Sequence, residues 1–278
     1  MAGNDSLPPV TSTYAVLGST GNCGTALLQT LLQSPTNKIH AYCRNQAKLH
    51  RLIPQVVDNK QIRVFEGSIH DVDLITDCVR GTKAVFMAVT TNDNVPDCRL
   101  NQDTAATVIR ALEAIRAESS SRAKPEASKL PKLVLLSSST IDDRLSGNRS
   151  WLFRSLMRTA VSYVYADLQL AEKMLRSQAD WVSTIFMKPG GLSVDVARGH
   201  RLTLDEDESF LSYLDLSAGM LEAVNDEEGR YDGMNVGVVN ATRGVGAKFP
   251  SGGLLAIPLG LLRHFFPWLH PYLPVAGL

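Results

Sequence analysis

Gly18, Ser19, Thr20, Gly21, Asn22, Cys23 and Gly24 form a G-x-x-G-x-x-G run, the spacing in this chain that speaks most directly to chemistry. A short apolar stretch, Tyr14–Leu17, precedes it, and a helix-period stretch with Ala26, Leu27, Leu28, Leu31 and Leu32 follows. Glycines so placed let the backbone turn sharply and approach a pyrophosphate, while the free N–H groups of the following helix face the charge. The strand before and the helix after point to a dinucleotide site rather than an ordinary turn. Gly18, Ser19, Thr20, Gly21, Asn22 and Gly24 are the candidate phosphate cradle. Twenty residues after Gly24, where an NAD site carries Asp or Glu for the ribose 2′-hydroxyl, the chain has Arg44, with Lys48 one helical turn on. A guanidinium suits a 2′-phosphate, so the expected cofactor is NADP(H) rather than NAD(H). Ser68 and Ile69, after the third strand, are expected to flank the adenine. Ala88, Val89 and Thr90, after the fourth, are expected to run along the ribose and pyrophosphate.

The elements that must position these residues read as short apolar strands alternating with helices. Strands are expected at Tyr14–Leu17, Ile39–Cys43, Ile62–Phe65, Ala84–Ala88, Leu133–Leu136, Trp181–Phe186 and Met234–Val239. Helices are expected at Gln46–Ile53, at Asp71–Val79 with Asp71 as N-cap, along Leu100–Ile115, over Trp151–Arg176 and over Phe210–Val224. Ser119–Lys129 reads as a polar loop, and Asp205-Glu206-Asp207-Glu208 as a solvated turn. The alternation is that of an α/β fold, a doubly wound parallel sheet of Rossmann type. Residues 1–191 are expected to form the dinucleotide-binding core. Residues 192–278 are expected to form a small substrate-side lobe, with segments returning to the sheet and an apolar tail.

Three motifs carry a resemblance. Gly18–Gly24, Ser137–Thr140 and Lys188-Pro189-Gly190-Gly191-Leu192 together resemble the atypical short-chain dehydrogenase/reductases with NmrA-like, NAD(P)-binding folds. Tyr165-Ala166-Asp167-Leu168, Pro189–Leu192 and Leu214–Met220 are similar to the averufin oxidase A family. That resemblance implies an oxidoreductase of fungal secondary metabolism acting on an aromatic polyketide. It also implies a Tyr, a Lys four residues later on the same helix face, and a Ser after the fifth strand. Aligned through Ala171-Glu172 and Pro189-Gly190, the Tyr and Lys positions fall on Val164 and Leu168; a slip of one residue gives Tyr165 and Gln169. In either register the dyad is absent or altered. Asp167 or Tyr165 is then the candidate proton donor or acceptor, and Ser138 or Ser139 the candidate oxygen anchor. Val164 and Leu168 would give Asp167 an apolar neighbourhood. Lys188, Pro189 and Gly190 are candidates for touching the cofactor, with a structural ion pair the other reading of Lys188. Asp215 reads as a structural cap or pair.

Lys plus Arg and Asp plus Glu both total 28, a balance that argues against a nucleic-acid partner. Cys23, Cys43, Cys78 and Cys98 lack C-x-x-C spacing, and His200 and His264 lack ligand-spaced partners, so no metal is expected. Met1–Val10 has no apolar core of a signal peptide, and no apolar run is long enough to span a bilayer, so a cytoplasmic protein is expected. The tail, with Leu254–Leu262 and Phe265-Phe266-Pro267-Trp268-Leu269, has too much apolar surface to leave in water. It is read as a crevice cover, a homodimer contact, a membrane-surface segment or part of the protein's own core. The partner expected from these features is a small apolar aromatic substrate. Besides hydride transfer, two functions stay open: an isomerase or cyclase on the same fold, and an NmrA-like regulator that binds dinucleotide without turnover.

Overall fold

The apolar runs between glycine turns become strands because both of their faces are covered. The computed structural model describes residues 11–121, 130–250 and 253–275. Its central strand, β1 (Ser12–Leu17), buries Tyr14, Ala15, Val16 and Leu17 together. Alternation splits this run: Tyr14 and Val16 enter one core, Ala15 and Leu17 the other. The chain continues as α1 (Asn22–Leu32), β2 (Asn37–Cys43), α2 (Gln46–Leu52), β3 (Ile62–Glu66), α3 (Val72–Val79), β4 (Ala84–Met87) and α4 (Leu100–Ser121). Then come β5 (Lys132–Leu136), α5 (Trp151–Ala160), α6 (Ser162–Arg176), β6 (Thr184–Met187), β7 (Leu192–Ser193), β8 (His200–Thr203) and β9 (Leu211–Ser212). The last elements are α7 (Tyr213–Asn225), β10 (Asn235–Asn240) and α8 (Gly253–Phe265).

Eight strands form one sheet in the order β3-β2-β1-β4-β5-β6-β10-β8. All neighbours run parallel except β8, which pairs antiparallel with β10. Right-handed crossovers place α1 and α7 over one face and α3, α4 and α6 over the other, so the doubly wound α/β expectation holds. Strand order reverses between β1 and β4, which opens a crevice at their carboxyl ends. After Gly191 the chain returns to this sheet through β8 and β10, and β7 pairs with β9 beside it.

Several elements differ from the sequence expectation. The single helix over Trp151–Arg176 is two, because Val161 leaves the helical region at φ −125°, ψ 24°. Asn94, in the loop after β4, accepts from Tyr163 N at 2.8 Å and so supplies the new helix start. The sixth strand begins at Thr184, not Trp181, whose indole N–H donates to Gln178 in the preceding turn. α7 begins at Tyr213 behind Ser212, whose hydroxyl accepts from Asp215 N. Ser119 and Ser120 belong to α4, their hydroxyls donating to carbonyls one turn back. The rest of that expected loop, residues 122–129, and the segment Met1–Val10 lie outside the described residues.

The tail packs in part on the protein itself. At Gly260 of α8 the backbone meets α5 so closely that an added Cβ would lie 2.1 Å from Ala160 O. Arg263 is 1% exposed and holds Asp93 at 3.2 Å and the Pro274 carbonyl at 2.7 Å.

Candidate active site

The glycine turn lies at the carboxyl end of β1, where its three glycines serve different ends. Gly18 has φ +95°, and a Cβ there would sit 2.5 Å from Ala88 O. A Cβ on Gly24 would sit 2.1 Å from Gly18 O. Both are glycine because strand, turn and helix touch there. Gly21 is exposed, and its nearest neighbour would be Gly18 O at 3.5 Å, so no protein atom demands glycine at that point. It is also the N-cap of α1, and no side chain caps that helix. The N–H groups of the first turn are therefore left without a side-chain cap, the arrangement in which a helix start can take a phosphate. Thr20 and Asn22 are half-buried at its lip. Ser19 differs from expectation: fully buried, its hydroxyl donates to Val16 O at 2.9 Å and its N–H to Tyr42 O at 3.0 Å, so both of its donors are engaged within the protein.

Arg44, just after β2, and Lys48, in the first turn of α2, are exposed, with no ion-pair partner among the described residues. Glu66, at the end of the adjacent β3, is occupied in accepting from Gln46 N at 2.9 Å. Ser68 is exposed, while Ile69 is buried in the core. The turn between them and β3 is held by Tyr42, whose hydroxyl donates to Gly67 O, and burial pushes that phenol up to about 12. After β4, Ala88 backs the glycine turn, Val89 is half-buried and Thr90 exposed.

The three serines ending β5 are divided among three partners. Ser137 donates to Glu172 Oε1 at 2.5 Å, and Lys188 Nζ donates to the same oxygen at 2.6 Å. Lys188 is 2% exposed, so of its two readings the ion pair is the one the structure contains. Ser139, expected as an oxygen anchor, is fully buried and donates to Asp207 Oδ2 at 2.6 Å. Asp207 also accepts from Arg149 Nε at 2.9 Å. The acidic run is thus no solvated turn, since Asp207 is buried beneath the serine loop and Glu208 accepts from Asn240 N and Gly244 N. Ser138 is half-buried; its hydroxyl accepts from Thr140 N at 3.3 Å and lies 3.4 Å from the Tyr165 hydroxyl on α6. Pro189 is buried, with its carbonyl accepting from Ser139 N, and a Cβ on Gly190 would meet Ser209 Oγ at 2.6 Å.

Asp167 does not sit among apolar neighbours. It is 1% exposed and accepts from Asn101 N at 2.8 Å, Gln102 N at 3.0 Å and both side-chain amides of those residues at 3.0 Å. Cys98 Sγ adds a longer contact at 3.6 Å. This is a charged cap on the N-terminus of α4, where backbone donors and the helix dipole both favour a carboxylate. Val164 and Leu168 are buried on α6, and Gln169 is exposed. Asp215 is likewise structural, accepting from Arg198 N, Gly199 N and the Ser212 hydroxyl.

Beyond Gly191 the chain supplies apolar surface that the motifs did not reveal. Phe210 lies where a Cβ on Gly191 would be 2.6 Å from its ring, and Phe249 meets it edge-on at 5.1 Å. Ala247 N donates to Phe210 O at 2.7 Å, tying residues 245–249 to this wall. Phe249, Val194 and Val196 are exposed along the same segments.

A dinucleotide-type crevice with an uncapped helix start defines a class. The chain belongs to the NAD(P)H-binding family, whose model matches residues 18–227. It is 65% identical over 233 residues to oxidoreductase dmxR7 of Cryptosporiopsis sp. (strain 8999), covering 84% of this chain and 96% of that one. Over 264 residues it is 58% identical to oxidoreductase tpcG of Aspergillus fumigatus, covering 95% and 97%. Among solved structures, a short-chain dehydrogenase/reductase from Veillonella parvula in complex with NADP superposes with a TM-score of 0.63 at 18% identity. That match covers 87% of this chain and 100% of the other and speaks to the fold. The family and the relatives together support an oxidoreductase.

Proposed function

We propose that the protein is an NADP(H)-dependent oxidoreductase acting on an aromatic polyketide, with Tyr165 and Ser138 at the substrate oxygen. The observation that carries this reading is the 3.4 Å approach of their hydroxyls at the carboxyl edge of the sheet. In this reading residues 1–191 hold the cofactor and residues 192–278 the substrate, in the cytoplasm. The residues present fit the cofactor. The α1 N-terminus and the open side of Gly21 suit the pyrophosphate, and the unpaired Arg44 and Lys48 suit a 2′-phosphate. NADP(H), when bound, supplies or accepts the hydride. Ser138 Oγ hydrogen-bonds the substrate oxygen, and the Tyr165 hydroxyl exchanges a proton with it. The exposed Phe249 and the Phe210 ring offer a flat aromatic ligand its apolar wall. The motifs shared with the averufin oxidase A family support the polyketide assignment.

Proton transfer passes to Tyr165 because the Asp167 carboxylate is committed to α4. Gln169, where the dyad Lys would stand, leaves the tyrosine without a cationic neighbour on its own helix. That favours, as the second reading, an isomerase or cyclase using the same two hydroxyls. In the test, Tyr165→Phe and Ser138→Ala are each expected to lower turnover by about 10²-fold with NADPH affinity kept. Full activity in both would remove this pair from the chemistry.

A further inference from the structure

Tyr165 stands in the first turn of α6, just past the break at Val161 that separates this helix from α5. Whatever sets the start of α6 therefore sets where the Tyr165 hydroxyl lies against Ser138, a contact of 3.4 Å. Val161 gives that start no side-chain cap. The acceptor comes instead from the loop after β4, where Asn94 Oδ1 takes Tyr163 N at 2.8 Å. Asn94 is 2% exposed, and its amide is used on both sides. Its Nδ2 donates to Gly260 O at 3.2 Å and to Ser162 Oγ at 3.3 Å. Two oxygens before Nδ2 and one N–H before Oδ1 leave the amide a single orientation.

The tail holds this junction from the other side. Asp93, beside Asn94, pairs with the buried Arg263 of α8, and Arg263 is fixed in turn by the Pro274 carbonyl. His264 Nδ1 lies 2.7 Å from the Ser162 hydroxyl, and Gly260 packs on Ala160 at the end of α5. Farther along, α6 has a separate anchor. Glu172, two turns after Tyr165 and so on the same helix face, accepts from Lys188 Nζ at 2.6 Å and from the Ser137 hydroxyl. Tyr165 thus lies between a fixed middle and a start that depends on one acceptor oxygen. Without that oxygen the Tyr163 N–H has no intrahelical partner and the first turn loosens, while Glu172 keeps the rest of α6 seated. A small displacement of a reacting group is costly, because catalysis depends on near-attack distances.

We infer that Asn94 is a positioning residue for Tyr165, acting through the start of α6. The inference rests on the proposed role of Tyr165 in proton transfer. The test measures turnover of an aromatic polyketide ketone with NADPH by the full-length protein and its variants. Asn94→Ala is expected to lower kcat about tenfold, with KM for the ketone and NADPH affinity unchanged. Asn94→Asp keeps the acceptor oxygen and is expected to recover most of that loss. On a Tyr165→Phe background, Asn94→Ala is expected to cost almost nothing further, because the hydroxyl it places is gone. A purely structural role would slow both backgrounds alike. Hydrogen exchange needs no substrate: in Asn94→Ala it is expected to rise over residues 162–166 and to stay native over β6. A native kcat in Asn94→Ala, the same tenfold loss on the Tyr165→Phe background, Asn94→Asp as slow as Asn94→Ala, or unchanged exchange over 162–166 would each overturn the inference alone. Full activity in Tyr165→Phe would instead remove the reading of Tyr165, and the inference with it.

Discussion

Tyr165 and Asp167 are two positions apart on α6 and therefore point about 200° apart around the helix, at ~100° per residue. One hydroxyl reaches Ser138 at the sheet edge, while the other side chain turns to α4. Helix-face reasoning grouped Asp167 with Val164 and Leu168 and expected an apolar neighbourhood; all three are buried, but the carboxyl meets polar donors. That reasoning could not show that the buried neighbours would be the N–H groups of another helix, 65 residues away in sequence. Asp167→Asn is accordingly expected to act on stability, leaving turnover of the folded fraction intact. Removing a charged acceptor from buried donors costs roughly 1.5–3 kcal/mol, readable as a lower urea midpoint. Arg44 is singled out by one absence, that of the acid expected twenty residues after Gly24. Arg44→Ala is expected to weaken NADPH binding by ~1.5–3 kcal/mol and to leave NADH binding nearly unchanged. Calorimetric titration with both cofactors measures this, and equal losses would contradict the 2′-phosphate role.

At the scale of elements, strands were easier to read than helix starts. Continuous apolar runs such as Ala84–Met87 are buried on both faces, and that need is written locally. The break at Val161 was hidden because the cap for α6 comes from Asn94, far away in sequence. Asp207 was missed for the same reason: four consecutive acids look solvated until Ser139 and Arg149 are brought to one of them. β2 carries an element-scale prediction of its own. His40 is half-buried, its Nδ1 lies 2.6 Å from Cys78 O, and burial lowers its pKa below 6.5, with the Arg63 charge adding to the shift. The unfolded chain then binds more protons than the folded one just below the ordinary His value. Stability from a neutral His40 is fully present above about pH 6.5 and is lost as pH falls toward the lowered folded value. Thermal melts of the native protein and of His40→Gln across that window should show a shallower decline in the variant. Parallel declines would assign the loss to other groups.

For the whole molecule, the parallel sheet and the glycine turn were legible because both follow from local pattern: apolar runs, a glycine spacing, helices between. The substrate side was not, because Phe210, Phe249 and the serine loop are assembled by chain returning from residues 192–249 to a sheet laid down earlier. The central claim concerns what happens between those two parts, namely that hydride moves while Tyr165 handles the proton. The most direct measurement is a single turnover with NADPH deuterated at nicotinamide C4 and an aromatic polyketide ketone, followed by mass analysis of the product. The expected result is one deuterium in the product with the native protein, and the same label arriving about 10²-fold more slowly with Tyr165→Phe. Product that forms without deuterium, or a Tyr165→Phe variant that transfers it at the native rate, would contradict the claim.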